Sequence, residues 1–220
     1  QILVLTGFQR ITGIFVLKHF HHMEVLSTNM IITSGYTINT DYEQEVKDLE
    51  SDLKRFNLPY KLYGYESRGD WTKNTMVKAE LIQQALKEYP NEDVIWLDAD
   101  AVIVKEPSFF HELKNKEFDI CCHYLKTRYN PNELLSGTII FRNNEIVRQL
   151  VDDWVNDTEV NWDQKKLQKL VDGSYKDKLN TLHLPIEYIK IRPRNIKSAR
   201  QLKCVIGHKQ MSREQRFKIK

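Results

Sequence analysis

The feature that most constrains the fold of this sequence is a short apolar stretch, Val94–Leu97, with the acidic residues Asp93 and Asp98 at its two ends. Its apolar residues are consecutive, whereas a strand that keeps one face in water alternates apolar and polar residues. This pattern predicts a strand covered on both faces, as in the middle of an α/β sheet. We therefore expect helices on both sides of a sheet that contains this strand.

The segments before this stretch alternate between strand and helix patterns. Strands are predicted at Met30–Thr33, which a Ser-Gly turn follows, and at Tyr60–Tyr65; Ile2–Leu5 is a competing first strand. Apolar residues recur every three or four positions in the helices that are predicted to begin near Asp41 and Thr72. Strands alternating with helices imply parallel pairing through right-handed crossovers.

The second half of the chain is less regular. Strands are predicted at Phe118–Cys122 and Thr138–Phe141, and helices around Ile146–Trp154 and Leu167–Val171. A chain of 220 residues with 41% hydrophobic content is long enough for one packed core, and we expect a single domain over residues 1–220.

Both ends of the chain are set apart from this domain. Residues 1–28 include the histidine-containing stretch Lys18–Met23, which fits either a leader before a starting Met or a native histidine cluster. Residues 192–220 form a basic C-terminal tail. The chain is also compatible with being one part of a longer polypeptide that carries further domains.

Composition argues against several classes of protein. Lys+Arg 33 against Asp+Glu 30 leaves a net charge of +3 spread along the chain, which argues against a dedicated nucleic-acid-binding protein. Cys121 and Cys122 are adjacent and the third cysteine is distant, which argues against both a disulfide framework and a zinc site. Because there is neither a membrane-spanning apolar run nor a secretion signal, we expect a cytoplasmic protein.

The chemistry is expected at Asp98 and Asp100, which directly follow the buried strand. In an open α/β sheet, ligands bind beyond the carboxyl ends of the strands. Two carboxylates separated by one residue can face the same side, where a divalent cation offsets their repulsion. Hard oxygen ligands suit Mg²⁺ or Mn²⁺, and such an ion neutralises a diphosphate.

Four segments, taken in order, resemble the nucleotide-sugar-dependent glycosyltransferases of the GT-A fold. They are Leu97–Val102 with its Asp-x-Asp motif, Leu135–Asn143, Asn161–Gln164 and Val205–Lys209. The pattern is most similar to retaining galactosyl and xylosyl transferases, to the glycogenin-like group and to virus-encoded domains that glycosylate capsid proteins. The resemblance implies a mixed, mostly parallel Rossmann-like sheet flanked by helices.

The resemblance also implies roles for individual residues. A divalent ion, Mn²⁺ or Mg²⁺, would be held by Asp98, Asp100 and His208. The donor would be contacted by Thr33, Ser34, Gly35, Tyr36, Lys78, Asp98, Ala99, Asp100, Ser136, Gly137 and Lys209. Arg213 is the alternative to Lys209 as the lysine-type contact to the diphosphate, and Arg142-Asn143 would lie under the donor sugar and acceptor. Asp163 and Gln164 would act at the reacting sugar as catalytic residues.

The implied reaction transfers a hexose or deoxyhexose from a nucleotide diphosphate sugar, most simply a UDP-sugar, to a hydroxyl of a glycan or glycoprotein acceptor. The family resemblance favours retention of anomeric configuration. Plainer roles stay open for three residues: a surface position for His208, a helix cap for Asp163 and a solvated position for Lys78.

A second enzyme class competes for the same motif. Asp98 also fits the nucleophile of haloacid-dehalogenase-type phosphatases, whose Asp-x-Asp loop follows the first strand of the sheet. In this sequence the loop follows two strand–helix units, and the later acidic pair Asp152-Asp153 falls inside a predicted helix. A phosphatase is therefore the weaker hypothesis.

Overall fold

In a computed structural model, the structure describes residues 30–126, 132–158, 162–191 and 203–211. The competing strand Ile2–Leu5, the histidine-containing stretch and Arg213 lie outside the described residues. The predicted division into one domain with a separate leader and tail likewise stays a prediction.

The described helices are α1 (Tyr42–Arg55), α2 (Trp71–Glu88), α3 (Ser108–Glu112), α4 (Glu145–Asn156) and α5 (Asp163–Asp172). The described strands are β1 (Met30–Thr37), β2 (Tyr60–Tyr65), β3 (Asp93–Leu97), β4 (Ala101–Ile103), β5 (Ile120–Leu125), β6 (Glu133–Phe141), β7 (Thr181–His183), β8 (Lys190–Ile191) and β9 (Ile206–His208). No helix among these is long and apolar enough to cross a membrane.

A central sheet carries six strands in the order β2-β1-β3-β6-β5-β7. The pairs β1–β2, β1–β3 and β5–β7 are parallel, whereas β6 is antiparallel to both of its neighbours. The prediction of a mixed, mostly parallel α/β sheet is thus confirmed.

Strand β3 is covered on both faces, as its consecutive apolar residues predict. Val94 and Trp96 belong to one buried cluster, in which α2 and α4 take part, and Ile95 and Leu97 belong to a second cluster with apolar residues of α1. These side chains are at most 3% exposed. Successive strand residues point to opposite faces, so a strand buried on both sides needs an apolar residue at every position.

Strand β1 continues beyond the Ser-Gly pair, so the predicted turn at this point is wrong. The pairs of β1 with β2 run on through Gly35 to Thr37. A Cβ atom on Gly35 would lie 2.3 Å from Leu81 Cδ1 and 3.1 Å from Trp96 Cη2. The absence of a side chain at Gly35 therefore allows the helix α2 to pack closely on the sheet.

A second, small sheet brings the end of the described chain beside the Asp-x-Asp segment. Its order is β4-β9-β8, and β4 pairs antiparallel with β9 so that Ala101 is opposite His208. On the side away from β9, the Ile103 N–H donates to Asp52 Oδ2 over 2.8 Å, and Arg55 donates to the Ile103 carbonyl over 2.5 Å. Two side chains of α1 therefore satisfy backbone groups of an edge strand.

Candidate active site

A cavity of about 900 Å³ lies at the carboxyl edge of the central sheet. Residues of five neighbouring strands or their ends line it, from Tyr65 of β2, through Gly35 of β1 and Asp98 after β3, to Ser136 of β6 and Leu125 of β5. With about 4.8 Å between neighbouring strands, this row spans roughly 19 Å. That length suits an extended ligand lying across the strand ends.

At the centre of the cavity, Asp98, Asp100 and His208 form a group that could hold a metal ion. One ligand atom from each residue lies within 4.8 Å of the others. Ligands bound to one ion at about 2.0–2.2 Å are at most about 4.4 Å apart, so shifts of a few tenths of an ångström would complete such a site. The structure therefore brings together the three residues predicted to bind the metal.

A tight turn after β3 presents the two carboxylates. The Ala101 N–H donates to the Asp98 carbonyl over 2.9 Å, and the Asp98 N–H donates to the Gly137 carbonyl over 2.9 Å. Both acids line the cavity, whereas Ala99 is buried behind the turn and does not. The structure thus does not bring the predicted donor contact Ala99 to the cavity.

His208 lies flat over Gly137. A Cβ atom at Gly137 would be 3.0 Å from His208 Cε1, closer than side chains normally approach. The ring Nε2 is 2.9 Å from the hydroxyl of Thr138. Nδ1 is buried without a hydrogen-bond partner and is 3.6 Å from Asp100 Oδ1. An unpartnered buried nitrogen that faces a carboxylate is what a missing cation between them would leave.

Asp100 is held by the segment that follows His208. The Met211 N–H donates to Asp100 Oδ2 over 2.9 Å, and the Lys209 N–H donates to the Asp100 carbonyl over 3.2 Å. Burial by itself raises the pKa of the Asp100 carboxyl, but His208 and the backbone N–H groups of this segment lower that pKa below its usual value. The carboxylate is therefore kept ionised, as a metal ligand must be.

Lys78 joins the metal group to the sugar side of the cavity. Its Nζ is 2.8 Å from Asp98 Oδ1, 3.1 Å from Asp163 Oδ2, and 3.2 Å from both the carbonyl and the hydroxyl of Ser136. Burial lowers the pKa of this ammonium, but Asp163 and Asp98 raise that pKa above its usual value. Lys78 is thus neither solvated nor free for a diphosphate, because its donors are already used.

Asp163 is the first residue of α5, and the preceding Trp162 occupies the cap position without a side-chain cap hydrogen bond. The carboxylate of Asp163 is 4% exposed and pairs with Lys78, and the Asp163 carbonyl accepts from Trp154 Nε1 over 3.0 Å. Capping of α5 by the Asp163 side chain is therefore not what the structure shows. The residue instead faces the cavity.

Gln164 bridges two residues of β6. Its Oε1 accepts from the N–H and the hydroxyl of Ser136 over 3.3 Å, and its Nε2 donates to Glu133 Oε1 over 2.9 Å. Strand β6 here extends past the last pair with β3, Leu97 with Thr138, so α5 supplies partners that β3 does not. Gln164 and Ser136 both line the cavity.

Of the residues predicted to contact the donor from β1, Gly35 and Tyr36 line the cavity, whereas Thr33 and Ser34 do not. Thr33 and Ser34 are fully buried within the sheet, and the Thr33 hydroxyl donates to the Ile95 carbonyl over 3.3 Å. The longer β1 explains this, because the end of the strand lies three residues beyond Ser34.

Lys209 lies apart from the cavity lining. Its Nζ binds Glu45 of α1 and is 3.0 Å from Asp48 Oδ2. Arg142 and Asn143 also lie elsewhere, at the opposite end of β3, where Arg142 pairs with Asp93 over 3.2 Å. The structure does not bring these predicted contacts together with the metal group.

The sequence pattern does not single out several residues that line the cavity. Tyr42 fits the apolar face of α1 by its spacing, yet it lines the cavity together with Tyr65 and Glu133. Burial, and then the charges of Asp100 and Asp98, raise the pKa of the Tyr42 hydroxyl. No local signal distinguishes such a tyrosine from a core residue, because its role depends on the neighbouring strand ends.

The charge of the cavity is strongly negative. Among the described residues that line it, five are acidic: Asp70, Asp98, Asp100, Glu133 and Asp163. Lys78 is the one Lys or Arg in that described lining, and it is already paired with two of the acids. Such a surface repels a diphosphate unless a cation accompanies it.

Comparison of the sequence with protein families and with curated proteins gives no match. The structure is similar to that of a glycosyltransferase involved in the glycosylation of the major capsid of PBCV-1, with a TM-score of 0.62 and 17% identity over 85% of this chain and 96% of that one. It is also similar to the bifunctional glycosyltransferase WbbM, with a TM-score of 0.54 and 12% identity over 84% of this chain. A third similar structure is the glycosyltransferase GlyE of Streptococcus pneumoniae TIGR4, with a TM-score of 0.55 and 13% identity over 81% of this chain.

These similarities establish the fold. The chain has the α/β fold of GT-A glycosyltransferases, as the resemblance of its four sequence segments implies. It spans 46% of the WbbM chain and 54% of the GlyE chain. The Asp-x-Asp pair lies where this fold has its ligand edge, at the carboxyl ends of the strands.

Proposed function

We propose that this protein is a metal-dependent glycosyltransferase that moves a hexose or deoxyhexose from a UDP-sugar to an acceptor hydroxyl. The observation that carries the proposal is the group of Asp98, Asp100 and His208, whose ligand atoms lie within 4.8 Å of one another. The group is central to a cavity at the ligand edge of a glycosyltransferase fold. The phosphatase alternative is not favoured, because the similar structures are glycosyltransferases and Asp98 follows the third strand along the chain.

The negative charge of the cavity supports metal dependence. Two acids and one imidazole form a donor set that fits Mn²⁺ or Mg²⁺, and the unpartnered Nδ1 of His208 fits a ligand position. Bound there, the ion would neutralise the diphosphate and stabilise it as a leaving group. Asp98 and Asp100 would hold the ion, and the backbone N–H of Met211 fixes the direction of the Asp100 carboxylate.

The order of strand ends supports an arrangement of the donor. The nucleoside would lie at the β1–β2 side, where Tyr36, Tyr42 and Tyr65 line the cavity, and its sugar at the β6 side, near Ser136 and Asp163. Aromatic rings provide faces on which a base can stack. Asp163 would accept a hydrogen bond from a sugar hydroxyl, with Lys78 holding its carboxylate in place.

We further propose retention of anomeric configuration. On the sugar side, Asp163 is paired with Lys78 and Glu133 accepts from Gln164, so both carboxylates are already engaged. An inverting enzyme needs a base placed to take the proton of the acceptor hydroxyl. The engaged state of these two acids favours the retaining course.

A glycan, carried on a protein or free, is proposed as the acceptor. Support comes from the similar structure of 17% identity, whose protein takes part in the glycosylation of a major capsid. A cytoplasmic location stays a prediction; the three cysteines are buried thiols without a disulfide, as that prediction requires.

Titration of the chain with UDP tests the proposal directly. Calorimetric affinity for UDP is expected to be at least 10-fold higher with saturating MnCl₂ than with EDTA, because without the ion the acids repel the diphosphate. Uridine, which lacks the diphosphate, serves as the control and should bind equally under both conditions. Equal UDP affinity with and without the ion would contradict metal-dependent donor binding.

Asp163→Asn tests the role of the sugar side. We expect kcat for UDP-sugar hydrolysis or transfer to fall about 100-fold or more, since a carboxylate that stabilises charge in the transition state is lost. UDP affinity should change little, because UDP lacks the sugar. The matched control is Asp157→Asn, which removes a buried acid that pairs with Lys169 over 3.3 Å and does not line the cavity. An Asp163→Asn enzyme with wild-type kcat would remove Asp163 from the reaction.

A further inference from the structure

We propose that Thr138 is a positioning residue that selects the tautomer of His208 and so directs its Nδ1 lone pair to the metal ion. The inference rests on the proposed function only in that Asp98, Asp100 and His208 hold a divalent ion. It assigns a role to a residue that lies in the sheet, behind the ligands, rather than in the cavity lining.

The hydrogen bond between Thr138 and His208 is protected from solvent. The Thr138 hydroxyl is 2.9 Å from Nε2, the side chain of Thr138 is fully buried and His208 is 7% exposed. Water therefore does not compete for Nε2. A neutral imidazole carries one proton, and whichever nitrogen keeps it leaves the lone pair on the other.

The surroundings of Nδ1 decide between the two tautomers once the ion is present. Nδ1 has no hydrogen-bond partner, and the carboxylate of Asp100 lies 3.6 Å away, beyond hydrogen-bond reach. A proton on Nδ1 would prevent binding of a cation there. A proton on Nε2, donated to the Thr138 oxygen, leaves Nδ1 as the ligand, which is the usual arrangement of a metal-bound histidine with an oxygen partner on its other nitrogen.

The neighbouring residue Gly137 fixes the plane of the ring. Its missing Cβ would lie 3.0 Å from Cε1, 3.1 Å from Nδ1 and 3.3 Å from Nε2 of His208, so the ring rests flat on the backbone of β6. The Gly137 carbonyl also accepts from the Asp98 N–H over 2.9 Å. Two adjacent residues of β6 therefore orient two of the three metal ligands.

The test measures binding of Mn²⁺ alone, with free Mn²⁺ followed by electron paramagnetic resonance. Thr138→Val keeps the shape of the side chain and removes the hydroxyl, and we expect it to weaken Mn²⁺ binding about 10–100-fold, as loss of an outer partner of a ligand does. Thr138→Ser keeps the hydroxyl and should bind within about threefold of the wild type. The matched control is Thr33→Val, which removes another fully buried hydroxyl of the same sheet, bonded to a backbone carbonyl away from the cavity.

A double-mutant cycle separates positioning from general destabilisation. If Thr138 acts through His208, the variant Thr138→Val/His208→Ala should bind Mn²⁺ as His208→Ala alone does. Pulsed resonance should show coupling of Mn²⁺ to an imidazole nitrogen in the wild type and its loss in Thr138→Val. If Thr138→Val does not fold, Thr138→Ala replaces it in the same cycle.

The outcomes distinguish this inference from the proposed function. Mn²⁺ affinity in Thr138→Val equal to that of the wild type, or losses that add in the double variant, would overturn the positioning role while leaving the metal site intact. A wild-type protein that binds no Mn²⁺, with or without UDP, would overturn the metal-dependent function itself.

Discussion

Replacing Lys78 with Met is expected to lower the free energy of unfolding by about 3–5 kcal/mol and to abolish donor turnover. The side chain of Lys78 is 10% exposed and lies within 3.1 Å of both Asp98 and Asp163, so Met would leave two carboxylates facing each other without the cation between them. Breaking a buried ion network by removing one partner costs far more than losing an exposed pair. Chemical denaturation and UDP-sugar hydrolysis measure the two effects.

A lysine of the same helix is the matched control. Lys73 is 67% exposed and pairs with Asp70 over 3.3 Å, so Lys73→Met should leave stability and turnover near wild type. Adding Asp163→Asn to Lys78→Met removes one of the uncompensated charges and should recover part of the stability, but not the turnover. A Lys78→Met protein as stable and as active as the wild type would show that the network carries neither role.

Asp100→Asn is expected to abolish donor turnover with little loss of stability. Asn can still accept the hydrogen bond from the Met211 N–H but supplies no charge to the ion. We expect Mn²⁺ affinity to fall by about 100-fold or more, because a direct ligand contributes more than an outer partner, whose loss costs about 10–100-fold. Mn²⁺ binding and UDP-sugar hydrolysis are the measurements, with thermal unfolding to check the fold.

Asp70→Asn provides the control for charge alone. Asp70 lines the same cavity and its side chain caps α2 by accepting from the Lys73 N–H over 2.8 Å, a bond that Asn also makes well. Loss of turnover in Asp100→Asn but not in Asp70→Asn would tie the effect to the metal group. Wild-type Mn²⁺ binding by Asp100→Asn would show that this pair of acids is not the metal site.

Local patterns predicted the parts of the molecule that depend on near neighbours in the chain. The consecutive apolar residues of Val94–Leu97 predicted a strand covered on both faces, and its side chains lie in two separate clusters. Asp98 and Asp100 had to lie at the ligand edge once that strand was placed in a mostly parallel sheet. These are short-range consequences of periodicity and of chain direction.

The predicted role of His208 needed more than its own segment. That residue reaches Asp100 because β9 pairs with β4, more than a hundred positions earlier in the chain. The resemblance of the chain to a family supplied this proximity, whereas periodicity and spacing could not, because a lone histidine after a short apolar run has no local mark of metal binding.

The amino-acid sequence by itself determined the α/β class, the buried central strand and the position of the acidic pair, because hydrophobic periodicity and strand direction act over a few residues. Only the tertiary structure decided that Lys78 lies between Asp98 and Asp163, that Lys209 binds Glu45 and Asp48, and that β1 runs past Gly35. Each of these depends on atoms that the fold brings together from distant parts of the chain, at separations where side-chain partners are chosen by packing and charge rather than by sequence spacing.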